Sequence, residues 1–537
     1  MTPHLEAIND SLLADCERGA EINISNLLTL LGDNKNTAIG RKYGFADIKS
    51  YEDYKRAVPV TGYEEHREYI ERMRNGENDQ LTVYPVIAYC RTSGSTGLPK
   101  FIPVTDQVFR HYPLHISRYK STLAAGNSMR FSINSYRCDP DGAVENEKVF
   151  SEVLYKYYHD MGKLDLSHMI GGMDLFFVPE ICDIMYAKAY SALCADDMAI
   201  LEGVYINEVI DFFRYIEDHW QELIRDISER RIPEDRDLPV RVRESLLSSP
   251  ASKERIRTLE RECQKGFEGI AKRLWPGLRL VCCAAVRSSI TEQKLLLGYI
   301  GDIPRYNMIY AATETVMGMA TGVNTFDNVL IPTCGFFEFM PAGEEGGVTL
   351  LPHELEVGRE YEIIVTTYSG FYRYRIGDVL KVTGYAGKAP LLEFCYRKDL
   401  ALNLAGEKLT LPQLENAFSA LRDEGIEAEN YLMGQTVGSM PRRYFGALTL
   451  AQDTGADIAK NLDTALCRLN YDYEDLRELR IIDRPLVTVL DRRSFDRLSA
   501  AVRTGNTIHN KSNHIITTRY TQKEWKELCR NAREKQS

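Results

Sequence analysis

The sequence has little that would mark a membrane protein or a metal-binding protein. Its strongest apolar run, Leu280–Val286, has the length of a buried strand, whereas a helix needs about 20 residues to span a bilayer. The 12 cysteines include no Cys-x-x-Cys pair, and the 10 histidines show no ligand spacing with them. We therefore expect free, mostly buried thiols in a reducing compartment, and no membrane partner.

Excess positive charge is also absent. The formal net charge of -11 argues against a general nucleic-acid or anionic-lipid surface, because such surfaces need clustered lysine and arginine. The first residues, Met1-Thr-Pro-His-Leu-Glu6, lack the basic and then apolar stretches of a secretory signal. A hydrophobic content of 44% and a charged content of 27% are typical of a globular protein. We predict a cytoplasmic protein without a nucleic-acid partner.

The pattern of apolar residues changes along the 537-residue chain, which is long enough for about two to four units. The first 60 residues and residues 106 to 275 are mostly helical in pattern, with a strong helix predicted over Ile206–Ile227. From residue 277 onward, short buried strands are predicted, including Gly335–Met340, Val348–Leu351, Tyr361–Thr367, Asp378–Val382 and Leu391–Tyr396. Beyond Arg397-Lys398-Asp399 the pattern becomes a smaller α+β unit, so these three residues are the predicted hinge.

A stretch rich in hydroxyl groups and glycine lies between two predicted strands, Thr82–Tyr89 and Ile102–Thr105. It reads Thr92-Ser-Gly-Ser-Thr-Gly-Leu-Pro-Lys100. Glycines let backbone N–H groups face an anion, hydroxyls add donors, and a lysine adds a positive charge, so a polyphosphate is the expected ligand. The Walker pattern is excluded, because it requires Gly-Lys-Ser/Thr where this chain has Pro-Lys-Phe. A polar turn without a ligand is the alternative. The stretch looks like the phosphate loop of the adenylate-forming enzymes.

Two further motifs carry acidic side chains. Tyr310-Ala-Ala-Thr-Glu314 ends an apolar strand, where a hydroxyl and a carboxylate would meet a ligand at the strand's tip. In Tyr372-Arg-Tyr-Arg-Ile-Gly-Asp378, Gly377 permits close backbone approach and Asp378 is an acceptor suited to a vicinal diol such as ribose. A Gly-Asp β-turn between two edge strands is the alternative interpretation of this motif.

These motifs, in this order, resemble the Gretchen Hagen family of acyl acid amido synthetases, a branch of the adenylate-forming superfamily. The family's forms are Ser-Ser-Gly-Thr-Ser-x-Gly-x-x-Lys, Tyr-Ala-Ser-Ser-Glu and Tyr-Arg-Val-Gly-Asp. Further similar segments extend over nearly the whole chain, among them Val58-Pro-Val-Thr-Gly-Tyr63 and Asn506-Thr-Ile-His-Asn-Lys511. One departure concerns the family's Gln-Tyr-Lys-x-Pro-Arg, which here is His509-Asn-Lys-Ser-Asn-His514. It keeps the lysine and loses the proline and arginine.

The resemblance implies an α/β adenylate-forming fold with two domains. Residues 1–396 would form a large N-terminal domain of β-sheets flanked by helices, and residues 397–537 a mobile α+β lid. It also implies an ATP- and Mg²⁺-dependent ligase that makes acyl-AMP from a carboxylic acid, releases pyrophosphate and transfers the acyl group to an amine, in most cases an amino acid.

The resemblance further assigns roles to individual residues. Phosphate contacts are expected from Thr92, Ser93, Ser95, Thr96 and Lys100. Tyr310 would stack on adenine, Glu314 would hold Mg²⁺ with Thr313, and Asp378 would accept hydrogen bonds from ribose with help from Arg397. The lid cation that bridges the α-phosphate and the acyl carboxylate would be Lys511 or Lys408.

Three other functions stay open at this point. An acyl-CoA ligase shares the first half-reaction and differs in its acceptor. A non-catalytic nucleotide-binding protein is disfavoured by the intact Lys100, Glu314 and Asp378. A kinase-like transferase is disfavoured by the missing Walker pattern, and it would release ADP instead of AMP.

Overall fold

The computed structural model describes residues 5, 7–92, 100–111, 129–139, 141–142, 150–178, 183–287, 290–344, 348–398, 402, 404, 407, 409–436, 441–452, 454–478, 480–502, 514–516 and 520–534. Within these ranges, no helix is both long enough and apolar enough to cross a lipid bilayer. All of the 11 cysteines that are described are free thiols.

Helices lie near both ends of the chain and between the strands along most of its length. The α-helices span Asp10–Glu17, Gly19–Asn34, Ala38–Lys42, Tyr51–Ala57, Glu64–Arg74, Asp106–Arg110, Phe150–Asp160, Gly172–Phe176, Ile184–Cys194, Ile206–Glu229, Val240–Ser248, Lys253–Gln264, Ile270–Leu274, Ile290–Ile300, Leu411–Asp423, Ile458–Leu469, Tyr471–Glu478, Arg492–Val502 and Gln522–Glu534. Short 3₁₀ helices span Phe45–Asp47, Pro332–Cys334 and Pro352–Glu354.

The strands of the described ranges form four sheets. They are β1 (Val86–Thr92), β2 (Lys100–Thr105), β3 (Met129–Ser132), β4 (Met198–Tyr205), β5 (Leu280–Ala284), β6 (Arg305–Tyr306), β7 (Ile309–Ala311), β8 (Val316–Ala320), β9 (Asp327–Leu330), β10 (Phe336–Pro341), β11 (Glu360–Thr366), β12 (Tyr374–Ala386), β13 (Ala389–Arg397), β14 (Ala428–Gln435), β15 (Arg442–Leu450) and β16 (Ile482–Val489). The sheet orders are β1-β2, β3-β4-β5-β6, β10-β11-β12-β13-β9-β8-β7 and β14-β15-β16.

The four-stranded sheet is parallel throughout. Parallel strands need long crossover connections, and the helices Ile206–Glu229 and Ile290–Ile300 supply two of them. The first of these helices confirms the prediction over Ile206–Ile227. Its Phe212, Phe213 and neighbouring apolar residues are buried in one cluster with residues of β4 and β5. The apolar face of this helix therefore lies in the core.

The prediction of a mostly helical stretch over residues 106 to 275 is wrong for β3 and β4. The sequence of β4, Met-Ala-Ile-Leu-Glu-Gly-Val-Tyr, is a short apolar run. Such runs lack the alternation of a half-exposed strand, so periodicity cannot separate them from a buried helical turn. The predicted strand Val348–Leu351 is also wrong, because there only Leu350 pairs with Phe339, in an isolated bridge.

The seven-stranded sheet is antiparallel wherever neighbouring strands pair. The strands predicted over Gly335–Met340, Tyr361–Thr367 and Leu391–Tyr396 are present as β10, β11 and β13, with ends shifted by a residue or two. The Asp378–Val382 strand starts earlier and ends later, as β12. The Gly-Asp pair is thus inside one long strand, and its alternative interpretation as a turn between two edge strands is wrong.

The C-terminal unit is a three-stranded sheet with helices on both faces. β14 and β15 are antiparallel, and β15 and β16 are parallel. Side chains alternate between faces, so Tyr431 and Met433 of β14 belong to one apolar cluster and Leu432 to another. The second cluster includes Trp525 of the last helix. The predicted smaller α+β unit is therefore present.

Candidate active site

The stretch predicted to bind phosphate closes a two-stranded hairpin. β1 and β2 are antiparallel, and Thr92 pairs with Lys100 across them. The hairpin forms because Cys90 and Ile102, directly opposite each other, are both buried. A strand on each side of the stretch is thus present as predicted, although the first strand begins later and runs to Thr92. Ser93, Ser95 and Thr96 lie outside the described residues, so their phosphate contacts stay predictions, as does that of the Thr92 hydroxyl.

Tyr63 fixes the second strand of this hairpin. Its hydroxyl accepts a hydrogen bond from the Phe101 N–H at 2.8 Å and donates to the Phe101 carbonyl at 3.2 Å. The ammonium of Lys100 lies 5.6 Å from the centroid of the Tyr63 ring. A cation at this distance from a ring face is attracted to it. Tyr63 therefore restrains both the strand and its terminal lysine.

Glu314 lies at the tip of the β7–β8 hairpin. The turn is closed by a hydrogen bond from the Ala312 N–H to the Thr315 carbonyl at 2.9 Å. Thr313 is half-buried in this turn, and Glu314 is buried. Burial and the neighbouring Glu314 carboxylate together raise the pKa of Tyr374 far above its ordinary value, so its hydroxyl stays protonated beside Glu314. The tip belongs to the antiparallel seven-stranded sheet.

The Asp378 carboxylate is the centre of the third motif. Gly377 has a φ of +87°, which only glycine adopts readily, and the pairing of β12 with β11 is irregular around it. Asp378 pairs with Arg397 across β12 and β13, and the Arg397 Nε donates to its Oδ1 at 2.5 Å. The Tyr310 hydroxyl donates to Oδ2 at 2.8 Å. The structure thus brings together the residues predicted for adenine and ribose.

This contact requires the seven-stranded sheet to coil. Tyr310 is on β7, four strand positions from β12, and four spacings in a flat sheet would measure about 19 Å. A tyrosine and an aspartate side chain cannot bridge that gap. The right-handed twist of the sheet must therefore bring its edge strand back over the centre. The Tyr310 ring on β7 also lies 6.3 Å from the Phe394 ring on β13, a contact that this coiling makes possible.

The charges at this centre stabilise one another. Burial lowers the pKa of Arg397, but the carboxylates of Asp378 and Glu314 outweigh burial, so the pKa lies above its ordinary value. Burial and Asp378 raise the pKa of Tyr310, which therefore stays protonated and can donate. Only 3% of the Asp378 side chain is exposed, against 29% for Arg397. Ribose hydroxyls would reach Asp378 only after a neighbouring side chain moves, and Arg397 is partly exposed.

Comparison with known proteins fits this geometry. The N-terminal domain of the GH3 family matches residues 9–304, and the family's central domain matches residues 328–397. The chain belongs to the GH3 family. The resemblance to the Gretchen Hagen enzymes is thereby confirmed.

Two curated relatives cover most of this GH3 chain. Indole-3-acetic acid-amido synthetase GH3.8 of Oryza sativa subsp. indica is 26% identical over 473 residues, which are 83% of this chain and 75% of that protein. Jasmonoyl--L-amino acid synthetase JAR4 of Nicotiana attenuata is 25% identical over 509 residues, 89% of this chain and 87% of that protein. Both are amino-acid-conjugating ligases by name.

Solved structures show the same fold. AtGH3.15 acyl acid amido synthetase in complex with 2,4-DB superposes with a TM-score of 0.80 at 23% identity, covering 97% of this chain and 95% of that one. A 2-hydroxyisobutyryl-CoA ligase in the postadenylation state superposes with a TM-score of 0.52 at 12% identity, covering 99% and 94%. The predicted adenylate-forming α/β fold is confirmed.

Two contributors to the site were not assigned roles from the sequence. Tyr374 lies beside Glu314, and Tyr63 restrains Lys100. Both belong to segments that resemble the GH3 family, Tyr374-Arg-Ile-Gly-Asp and Val58-Pro-Val-Thr-Gly-Tyr63, so the signal was present. Thr61 and Tyr374 form a bridge between these segments. This bridge links the phosphate hairpin to the Glu314 side of the site.

The predicted hinge begins at a network of charges. Lys398 Nζ donates to Glu362 at 2.7 Å, and Arg375 binds the same carboxylate with two nitrogens, at 2.8 and 2.6 Å. Glu362 is almost fully buried, and although burial raises its pKa, the two cations outweigh burial and lower it. Asp399 lies outside the described residues. Whether these residues act as the hinge stays a prediction.

The two candidate lid lysines, Lys408 and Lys511, lie outside the described residues, so their roles stay predictions. Beside the first, Glu407 is buried, accepts from the Leu404 N–H at 2.8 Å and binds the Tyr444 hydroxyl. Leu402 and Leu409, which lie on either side of Glu407 in the sequence, pair with each other in an isolated bridge.

A separate buried cluster joins Glu292, Glu415 and His514, whose ligand atoms lie within 4.8 Å of one another. Such a set could hold a metal ion. However, His514 Nε2 lies 2.5 Å from Glu292 Oε1, whereas two ligands about 2.1 Å from one tetrahedral zinc ion lie about 3.4 Å apart. The distance is that of a direct hydrogen bond. This geometry fits an ion pair and does not fit a metal centre.

Proposed function

We propose that this chain is an ATP-dependent ligase that converts a carboxylic acid to acyl-AMP, releases pyrophosphate and transfers the acyl group to an amine, in the first instance an amino acid. Its GH3 relatives make it an amide-forming ligase by class. The observation that carries the proposal is that Tyr310 and Arg397, from separate parts of the sequence, both donate to the Asp378 carboxylate.

The first half-reaction must bring two anions together. An oxygen of the acid attacks the α-phosphorus, and the bond from that phosphorus to the pyrophosphate oxygen breaks. Negative charge grows on the departing phosphates, and a preorganised cation lowers that cost. Lys100, restrained by Tyr63 at the end of the hairpin, would supply this charge with the loop hydroxyls Thr92, Ser93, Ser95 and Thr96.

The nucleoside would be held by the Asp378 centre. Each carboxylate oxygen has two acceptor sites, and Tyr310 and Arg397 each use one. One acceptor site per oxygen is left for the two ribose hydroxyls. The half-buried Tyr310 ring, held by its hydroxyl, would present a face to adenine.

Glu314 and Thr313 would hold Mg²⁺ at the hairpin tip. A carboxylate and a hydroxyl are hard oxygen donors, which this ion prefers, and phosphate oxygens and water would complete its shell. When bound, the ion would neutralise phosphate charge. The protonated Tyr374 hydroxyl beside Glu314 would help to orient the carboxylate for that role.

The second half-reaction would form the amide. A neutral amine attacks the acyl carbon, the bond from that carbon to the AMP oxygen breaks, and the amine loses a proton. We further propose the division into residues 1–396 and 397–537, with the second unit moving between the half-reactions and presenting Lys511, or Lys408, to the α-phosphate. Closure of this kind excludes water from a reactive intermediate. The cytoplasmic location stays a prediction.

Product analysis by mass spectrometry tests the proposal and separates it from an acyl-CoA ligase. The protein receives ATP, Mg²⁺ and a pool of carboxylic acids, with mixed amino acids, with CoA, or with neither. We expect AMP and a new amide that forms only when amino acids are present. AMP with a new thioester in the CoA arm alone would contradict the amine acceptor, and ADP would contradict adenylation.

A further inference from the structure

The segment containing His514 is attached to the sheet of the C-terminal unit. The Met433 N–H donates to the His514 carbonyl at 2.6 Å, and the Ile516 N–H donates to the Met433 carbonyl at 2.7 Å. Residues 514–516 therefore run parallel along β14, with Ile515 opposite Met433. This places the backbone of His514 firmly within the C-terminal unit.

The His514 side chain reaches across to the large N-terminal part of the chain. Its Nε2 lies 2.5 Å from Oε1 of Glu292, on the helix Ile290–Ile300, and its Nδ1 lies 3.0 Å from the Tyr431 carbonyl. Both partners are acceptors only, so both ring nitrogens must carry a proton. The imidazole is therefore a cation in this arrangement. Its ring is stacked on Tyr431 at a centroid distance of 4.0 Å.

The pair is buried between the two units. The His514 and Glu292 side chains are 13% and 7% exposed, and Glu415 Oε1 lies 3.6 Å from His514 Nε2. Breaking a buried ion pair leaves an uncompensated charge, whereas an exposed pair costs little to break. The same helix makes an exposed contact with the C-terminal unit, between Lys294 and Glu427 at 2.7 Å, with side chains 62% and 44% exposed. The exposed pair of Lys294 and Glu427 therefore serves as the control for the buried pair of His514 and Glu292.

Lys511 precedes His514 by three residues, a stretch that reaches at most about 11 Å. A charge that fixes His514 against Glu292 therefore limits where the candidate lid lysine can lie. His514 also stands where the family pattern has arginine, so a permanent cation is replaced by a titratable one.

We propose that His514 is a positioning residue, whose ion pair with Glu292 holds the C-terminal unit in one of its working orientations and thereby sets the balance between the two half-reactions. This inference rests on the proposed function. It predicts that the pairing and its effect on the balance disappear together when the imidazole loses its proton.

The titration follows from the groups that face His514, which are Glu292, Glu415 with Arg422 behind it, and the Tyr431 carbonyl. Burial would lower the pKa of His514, but the two carboxylates outweigh burial and raise it to about 9. The stabilisation that the charged His514 gives is then complete below pH 6.5, the ordinary pKa of histidine. It is lost as pH rises through about 9. Burial raises the pKa of Glu415 to about 7. Most of the His514 titration therefore falls between pH 7.5 and 9.5, above most of that of Glu415.

The first test is hydrogen–deuterium exchange of the full chain without substrate. Glu292→Gln and His514→Gln keep approximate shape and remove the charge. We expect faster exchange, by at least about fivefold, in peptides covering Ile290–Ile300 and residues 514–516. His514→Arg keeps a cation and should exchange as the wild type does, and so should the exposed-pair control Lys294→Gln. Unchanged exchange in both Gln variants would overturn the pairing.

The second test measures the two half-reactions separately, with the acid and amine identified by product analysis. We expect Glu292→Gln and His514→Gln to change the ratio of acyl-AMP formation to amide formation by at least about fivefold. Between pH 7.5 and 9.5 the substrate amine itself loses a proton, so the ratio should shift in both proteins, and the shift should be larger in the wild type than in His514→Arg. An unchanged ratio despite faster exchange would reduce the pair to a structural contact.

Two further outcomes are distinguishable. Zinc retained at one ion per chain by the wild type and lost in Glu292→Gln, measured by elemental analysis, would overturn the ion pair in favour of a metal centre. Absence of acyl-AMP in the wild type would contradict the proposed function and, with it, the positioning role, while the exchange result would still decide whether the interdomain pair exists.

Discussion

At the scale of single residues, the site depends on Asp378, whose two oxygens are each bound by a donor. The sequence pattern already indicated an acceptor for a diol there. It did not indicate that Tyr310 and Arg397 would bind that same carboxylate, because a contact between side chains 68 residues apart depends on tertiary structure. Short motifs predict chemistry, and the fold decides which motifs meet.

Replacing Asp378 with alanine should weaken ATP binding far more than acid binding. The change removes the ribose acceptor and leaves Arg397 buried without its partner. The dissociation constant for ATP should rise about 10- to 100-fold, the range for loss of a hydrogen bond to a charged group. Calorimetric titration with ATP and with the identified acid checks this. Glu356→Ala, an exposed carboxylate paired with Arg359, is the control, and unchanged ATP affinity in Asp378→Ala would remove Asp378 from the ribose role.

Lys100→Ala should lower kcat/KM for pyrophosphate release by about 100- to 1000-fold, the usual cost of losing one preorganised group that stabilises transition-state charge. Lys100→Arg should recover part of the loss. Lys253, exposed at the start of the helix Lys253–Gln264, provides the matched control Lys253→Ala. The rate of pyrophosphate release is measured for each variant. Equal rates for Lys100→Ala and Lys253→Ala would contradict a phosphate role for Lys100.

At the scale of elements, the helix Ile206–Glu229 was predicted almost to its ends, and so were most strands of the seven-stranded antiparallel sheet. The features that the sequence did not predict, among them β4 and the backbone conformation of Arg373, have a physical reason. β4 is buried on both faces and shows no alternation, and Arg373, just before β12, has a φ of +48° that no sequence pattern announces. The latter is held by a buried pair with Glu338, at 3.1 and 3.0 Å, and by Thr349 at 2.8 Å.

Glu338→Ala should therefore destabilise the antiparallel sheet. The Arg373 and Glu338 side chains are 7% and 1% exposed, and removing one member of a buried pair costs about 3–5 kcal/mol of unfolding free energy. Denaturant unfolding followed by circular dichroism measures the change. Arg359→Gln breaks the exposed pair with Glu356 and should cost at most about 1 kcal/mol. Equal losses in the two variants would contradict the importance of the buried pair.

At the scale of the whole molecule, the order of motifs predicted the family and the fold. The coiling of the antiparallel sheet, which brings β7 back toward β12, could not be predicted, because it follows from the twist of all seven strands together. The same limit applies to the contact between His514 and Glu292, 222 residues apart.

Lys398→Pro tests the predicted hinge. Proline fixes φ near −65°, so a residue that must rotate is locked in one state. One half-reaction should slow by at least about tenfold more than the other, as expected for a gated conformational step. Lys398→Ala removes the contact with Glu362 and keeps backbone freedom, so it serves as the control. Equal slowing of both half-reactions by the proline variant would rule out the hinge.

The most direct test of the central claim follows an oxygen atom. The identified acid is labelled with ¹⁸O in its carboxylate and converted in the presence of ATP and the amine, and the nucleotide product is weighed by mass spectrometry. If the carboxylate attacks the α-phosphorus at the Asp378 centre, the bridging oxygen leaves with the nucleotide, and AMP carries one ¹⁸O. Unlabelled AMP, or label in orthophosphate together with ADP, would contradict the acyl-adenylate route.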